Sequence, residues 1–295
     1  MAWPLLAPLV VAAAPKIYEE VIGRPQKRER QARERLREEQ KRAQQSEQRL
    51  AKLLNDLGYD EDEPAITEDV IKNARKTVGY DPKKKNIVFA GNVSVGKSSL
   101  INGLCNKGGD DDGAARVGSN QVTRNLARYE IPNHPEVVLY DIPGAGTQDV
   151  RAFRYYHDQM LYAFDTVVVV HDTTLTEADI RLLQMCIHSG KNCLAVRTKS
   201  DNHIRNYAYD KDCELEEARE IFLRETRHDI QSCHKEITAP WPEKEIRIWD
   251  YIINSRSVRT FMKGKPSPKE ADTAYIDEFD FIFDLSPGLV INPND

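Results

Sequence analysis

The 295-residue sequence predicts an α/β fold: a mostly parallel open sheet flanked by helices, with an added helical region at the N-terminal side. Three observations lead there. Short apolar runs rich in β-branched residues recur between stretches with helical spacing. A glycine-containing turn joins the first of these runs to a helix-forming stretch. A long charged stretch of helix-favouring composition precedes the alternation.

Residues 25–57 read as one long helix, rich in Arg, Glu, Gln, Ala and Leu, with Glu29–Arg33 and Glu38–Arg42 spaced for i,i+4 attraction. Its apolar positions hold no strict heptad. It reads either as a solvated helix or as a basic one that steers the chain to anionic lipid or a partner. An acidic break at residues 60–64 leads to a short helix over 67–78. Residues 87–90 are the first strand, and 98–104 the helix after the glycine turn. Residues 126–131 and 137–140 are two adjacent strands around the turn Pro132-Asn133-His134-Pro135. The run 167–170 is β-branched throughout, as in a strand covered on both faces. A helix over 178–188, a strand over 193–196, a long amphipathic helix over 214–230 and a last strand within 246–253 complete the alternation. Beyond Gly264, prolines bracket an acidic-aromatic stretch, 275–285, expected as a docking helix, with a loose end from residue 286. The resulting division is an apolar segment over 1–23, a charged helical region over 24–83, an α/β domain over 84–262 and a C-terminal tail over 263–295.

A formal charge of −5 excludes a uniformly basic nucleic-acid binder. The charge is uneven, since residues 24–52 hold eleven Lys/Arg against five Glu. Five cysteines without a C-x-x-C pair point to reduced thiols and a cytoplasmic setting. His228, Cys233 and His234 lie close together but lack a fourth ligand at metal-site spacing. The first fourteen residues are almost wholly apolar, too few for a membrane-spanning helix, and no Lys or Arg precedes them as in a secretory signal. A membrane-dipping or partner-docking role and plain disorder both stay open for them.

Gly91-Asn92-Val93-Ser94-Val95-Gly96-Lys97-Ser98 matches G-x-x-x-x-G-K-[ST] in full, between an apolar strand and a helix. Glycines there let backbone N–H groups turn toward phosphate oxygens, and the helix N-terminus adds positive potential. Lys97 is expected to reach the β and γ phosphates, and the Ser98 hydroxyl to ligate Mg²⁺. Thr198-Lys199-Ser200-Asp201 fits [NT]-K-x-D directly behind a predicted strand. The Asp201 carboxylate can accept two hydrogen bonds from guanine N1–H and its exocyclic amine, whereas adenine would leave it unpaired. Lys199 is expected along the base plane. Asp141-Ile142-Pro143-Gly144 supplies a third element: Asp141 ends a strand where it can hold Mg²⁺ through water, and the Gly144 amide can meet the γ-phosphate. Between these, residues 107–121 are a flexible stretch followed by Thr123, the natural threonine to approach Mg²⁺ and the γ-phosphate.

These residues resemble the immunity-related GTPases of the interferon-inducible kind. The likeness rests on Gly91 through Ser99, on Thr123, on Asp141-Ile142-Pro143-Gly144-Ala145-Gly146-Thr147 and on Val196-Arg197-Thr198-Lys199-Ser200-Asp201, with Asn254-Ser255-Arg256 resembling the last base-contacting loop. It implies a Ras-like P-loop GTPase fold and a dynamin-like protein that binds GTP and GDP and hydrolyses GTP. The same resemblance implies homodimers or oligomers formed through the nucleotide face, and frequent peripheral association with membranes. The long helical C-terminal region of that family is reduced here after Phe261, and the basic N-terminal helix is the candidate to serve in its place.

Ras-like enzymes carry a water-orienting glutamine directly after D-x-x-G, where this chain has Ala145, and the nearest glutamine is Gln148. A helper group is therefore expected from Ser94 or Asn92, or from a second molecule. Two alternatives stay open: a GTP-binding module with little hydrolysis, and a septin-like filament-forming GTPase.

Overall fold

The computed structural model describes residues 23–58, 65–116, 126–144 and 152–290, and divides into two compact units, Met1–Leu54 and Asn55–Asp295. The first unit is described as helix α1, Gly23–Asp56, 34 residues long, whose last turn enters the second unit. Pro25 sits in its first turn, where a missing N–H leaves no hydrogen bond unmade. Every described side chain from 30 to 52 is exposed, as a helix polar on all sides requires, and Arg30 pairs with Glu34 one turn away at 3.3 Å.

The second unit opens with α2, Glu68–Val78, started by the Thr67 hydroxyl accepting the Val70 N–H at 3.3 Å and ended by Gly79 in the left-handed region. Six strands follow: β1 (Lys85–Ala90), β2 (Ala127–Ile131), β3 (His134–Asp141), β4 (Thr166–His171), β5 (Asn192–Arg197) and β6 (Asp250–Ile252). The helices between and after them are α3 (Lys97–Leu104), α4 (Ala152–Asp158), α5 (Glu177–His188), α6 (Ser200–Lys211), α7 (Leu215–Thr238), α8 (Ser255–Met262) and α9 (Glu278–Leu285). The sheet order is β2-β3-β1-β4-β5-β6, with only β2 antiparallel to its neighbour. The chain fills one side of β1 and then crosses to the other, so a crevice opens beyond the C-terminal ends of the central strands.

Alternate residues explain why both faces are covered. Phe89, Leu139, Val168, Val170 and Val196 join one buried cluster with Leu100 of α3, Val258 of α8 and Phe281 of α9. Val88, Tyr140, Val167 and Val169 point the other way and are equally buried, with the Tyr140 and Phe164 rings 4.9 Å apart.

Four expectations change. The hairpin turn shrinks to Pro132-Asn133, because Asn133 takes φ 64° and lets His134 pair with Ile131. Helix α7 runs on to Thr238, since neither glycine nor proline interrupts it before Pro240. The last strand is only three residues long. The stretch expected as a docking helix and loose end forms α9 and a short 3₁₀ turn, Pro287–Leu289, and buries Phe281, Ile282, Leu285 and Leu289 in the main cluster. Its inner apolar residues are thus part of the core, while Phe279 and Phe283 stay exposed on its outer side with their rings 6.1 Å apart.

Candidate nucleotide-binding site

The loop after β1 passes so close to β4 that a Cβ on Gly91 would stand 2.1 Å from the Val170 carbonyl oxygen, at a φ of 133° that disfavours any side chain. Ser94, exposed at the loop tip, also takes a left-handed φ of 65°. Local strain gathered in a loop that must aim amide groups at a ligand is expected at such sites. Asn92, Val93 and Gly96 are partly buried, and Val95 is buried at the loop floor. Lys97 opens α3 and is almost fully buried; its ammonium curls back to donate to the carbonyls of Asn92 at 2.7 Å and Gly91 at 3.1 Å. Burial pushes the Lys97 pKa down, against the pull of Asp141 and Asp179. The loop thus holds a partly desolvated cation at a helix N-terminus, a setting that favours phosphate.

Ser98, one residue on, donates its hydroxyl to the Asp141 carboxylate at 2.6 Å, and Ser99 is half-buried beside it on α3. Asp141 is the last residue of β3, paired in register with Phe89 of β1, which fixes it next to the loop. Gly144 closes in from the same side: a Cβ there would lie 2.8 Å from the Val93 nitrogen. The Tyr155 hydroxyl of α4 donates to the Pro143 carbonyl at 3.0 Å and props up this segment. Thr123 and residues 145–148 lie outside the described residues.

The Thr198–Asp201 turn is clamped onto the phosphate loop. The Thr198 hydroxyl donates to the Val95 carbonyl at 2.5 Å, and the Lys199 ammonium to the Ser94 carbonyl at 2.7 Å. Lys199 holds φ 59°, and its ammonium also meets the Asp172 carboxylate at 2.7 Å. Asp201 lies in the first turn of α6 and is nearly buried, 3.5 Å from Arg205, whose guanidinium is held closer, at 2.5 Å, by Asp272. The Ser200 N–H donates to the Ile253 carbonyl at 3.2 Å, so residues 254–256 stand beside this turn. Asn254 is buried, caps α8 by accepting the Ser257 N–H at 2.8 Å, and reaches Ser200 at 3.4 Å. Ser255 is partly covered and Arg256 exposed.

Sequence reasoning missed Asp172, Tyr155 and Glu278. Glu278 is fully buried behind the Asn254 turn, accepting the N–H groups of Ile276 at 2.5 Å and Asn254 at 3.3 Å, and burial pushes its carboxyl up to about 7. His228, Cys233 and His234 gather no metal-holding group among the described residues. No described helix is long and apolar enough to cross a membrane.

A family model described as interferon-inducible GTPase (IIGP) matches residues 61–239. Interferon-inducible GTPase 1 of Mus musculus is 31% identical over 160 residues, covering 52% of this chain and 38% of the relative. Interferon-inducible GTPase 5 of Rattus norvegicus is 34% identical over 114 residues, covering 39% of this chain and 25% of the relative. The chain therefore spans well under half the length of these curated relatives. Among solved structures, the LeoA bacterial dynamin GTPase from ETEC shares 16% identity at a TM-score of 0.42, covering 85% of this chain and 43% of the other. At that distance it adds nothing to the fold, which stands on the sheet order and the loop geometry. With the family model matching more than half of its residues, across the phosphate loop, the Asp141–Gly144 segment and the Thr198–Asp201 turn, the chain belongs to the interferon-inducible GTPase family.

Proposed function

We propose that this protein binds GTP and GDP between the Gly91–Ser98 loop and Asp201, and hydrolyses GTP to GDP and phosphate as a nucleotide-dependent switch. One observation carries the reading: the base-selecting turn is bonded directly to the phosphate loop, through Thr198 to Val95 and Lys199 to Ser94. A purine and its triphosphate then address Asp201 and Lys97 at the same time. The near-buried Asp201 carboxylate selects guanine because it needs two donors from the base, and adenine supplies an acceptor instead.

Ser98 and Asp141 offer a hydroxyl and a carboxylate oxygen side by side, hard donors that suit Mg²⁺ completed by nucleotide phosphates. When bound, Mg²⁺ would neutralise charge on the phosphates. Lys97 then holds the β and γ phosphates, and the Gly144 amide, on a segment packed against Val93 of the loop, is the proposed donor to the γ-phosphate. In hydrolysis a water oxygen bonds to the γ-phosphorus while the bond to the β-phosphate oxygen breaks. Loss of that phosphate removes the contact at Gly144 and releases the segment after it. Ala145 stands where a water-orienting glutamine would be, so a second molecule across the nucleotide face is the proposed helper.

Turnover per molecule is the test: it should rise with protein concentration and level off as dimers fill. A rate independent of concentration would remove the dimer from the mechanism. The exposed basic helix α1 and the apolar segment before it suit peripheral contact with an anionic membrane in the cytoplasm, checked by co-sedimentation with phosphatidylserine vesicles at low and high salt.

A further inference from the structure

Arg197, the last residue of β5, is 8% exposed, yet among the described residues its guanidinium makes no hydrogen bond or ion pair, and its Nε is a buried donor without an acceptor. It lies in cation–π contact 5.3 Å from the centre of the Phe222 ring, with His203 stacked against that ring at 5.7 Å and 7°. The four acidic or phenolic groups facing it from α6, α7 and the sheet are engaged elsewhere. Asp250 pairs with His171 at 2.8 Å, Asp172 with Lys199 at 2.7 Å, Asp229 accepts the Thr174 hydroxyl at 3.3 Å, and Tyr207 donates to Glu225 at 2.8 Å. Burial outweighs their attraction and pushes the Arg197 pKa down, the mark of a guanidinium short of counter-charge.

Arg197 lines a cavity of about 440 Å³ between α6 and α7, together with Tyr207, Arg224, Thr226 and His228. A buried Nε–H without an acceptor is rare, because no water repays the bond it lacks. We propose that this cavity is a second ligand site, in which Arg197 receives an oxyanion, carboxylate or phosphate, of a small molecule. Arg224 at the rim supplies further positive charge, while Glu225 and Asp229 on the same wall limit the site to ligands that also carry donors or stay clear of α7. Because Arg197 immediately precedes Thr198, an occupant here sits directly behind the guanine-reading turn.

The test uses the full chain saturated with GDP, so that free phosphate does not compete for the loop at Lys97. Inorganic phosphate and malonate are titrated separately at constant ionic strength, while the Arg197 Nε–H resonance is followed; that signal reports this cavity whether or not the nucleotide reading holds. A saturable shift with a dissociation constant of about 10 mM or tighter is expected, with the stronger of the two anions naming the source chemistry. Arg224→Ala, a change at an exposed position, should weaken it about threefold to tenfold and leave folding intact. Arg197→Leu should abolish saturable binding in calorimetry. A linear, non-saturating drift with both anions, or saturation unaltered by Arg224→Ala and Arg197→Leu alike, would overturn the proposal.

Discussion

The Ser98 hydroxyl and the Asp141 carboxylate meet at 2.6 Å, joining the first turn after the phosphate loop to the end of β3. Two elements distant in sequence thereby present adjacent oxygen atoms, the pair proposed to ligate Mg²⁺. Ser98→Ala should leave the fold intact and remove the Mg²⁺ enhancement of GTP binding, with affinity or turnover falling about 10–100-fold. Titrations with and without Mg²⁺ check this. Equal Mg²⁺ enhancement in the variant would remove Ser98 from the metal site.

At Gly144 the constraint is steric. Even a methyl group would sit 2.8 Å from the Val93 nitrogen and 3.0 Å from the Asn92 carbonyl carbon, both backbone atoms that do not rotate away. Gly144→Ala should therefore push the Asp141–Gly144 segment off the phosphate loop, weakening GTP more than GDP because only GTP uses the Gly144 amide. Competition between the two nucleotides measures the ratio. An equal loss for both would place the damage elsewhere.

The parts that were legible in the sequence are those in which residue type and spacing are dictated by local chemistry. Gly91 and Gly96 with Lys97 predict a tight loop between a strand and a helix, and Asp201 a turn directly behind a strand, and the structure joins that turn to the loop through Thr198 and Lys199. The strands were readable because Val167 through Val170 must be apolar on both sides in a covered parallel sheet. Helix α9 was legible as a helix within 275–285, but its place in the core was not, since Glu278, Asp280 and Asp284 interrupt its apolar residues. Glu278 itself reads as a solvated charge until its two backbone partners are known. Asp172 was equally hidden, because its role depends on Lys199 reaching back from another loop across the fold.

Asp172→Ala tests that last contact. The pair is partly exposed on both sides, so its contribution is limited to about 1 kcal/mol, which corresponds to roughly fivefold in affinity. Lys199 is expected to keep its bond to Ser94. Affinities for GTP and GDP should fall together by that modest factor. A loss of several orders of magnitude would mean that Asp172 touches the nucleotide.

Glu278 predicts a pH dependence of stability. Its folded pKa, about 7, lies above the ordinary carboxyl value of 4.5, so the folded protein binds this proton more tightly than the unfolded chain. The stabilisation is complete below about pH 4.5 and is lost as pH rises to about 7. Urea unfolding across this window should show stability declining with pH from this group, and Glu278→Gln should flatten that slope whatever its effect on absolute stability. An unchanged slope in the variant would contradict the assignment.

Asp201 is proposed to read guanine while Lys97 holds the phosphates of the same molecule. GTP, ATP and xanthosine triphosphate affinities, compared between the wild-type protein and Asp201→Asn, test that arrangement. The wild type should prefer GTP over ATP by on the order of 10⁴-fold, and the variant should lose about 100-fold or more for GTP while gaining for xanthosine triphosphate. Equal wild-type affinities for GTP and ATP, or an Asp201→Asn protein that binds GTP as well as the wild type, would contradict it.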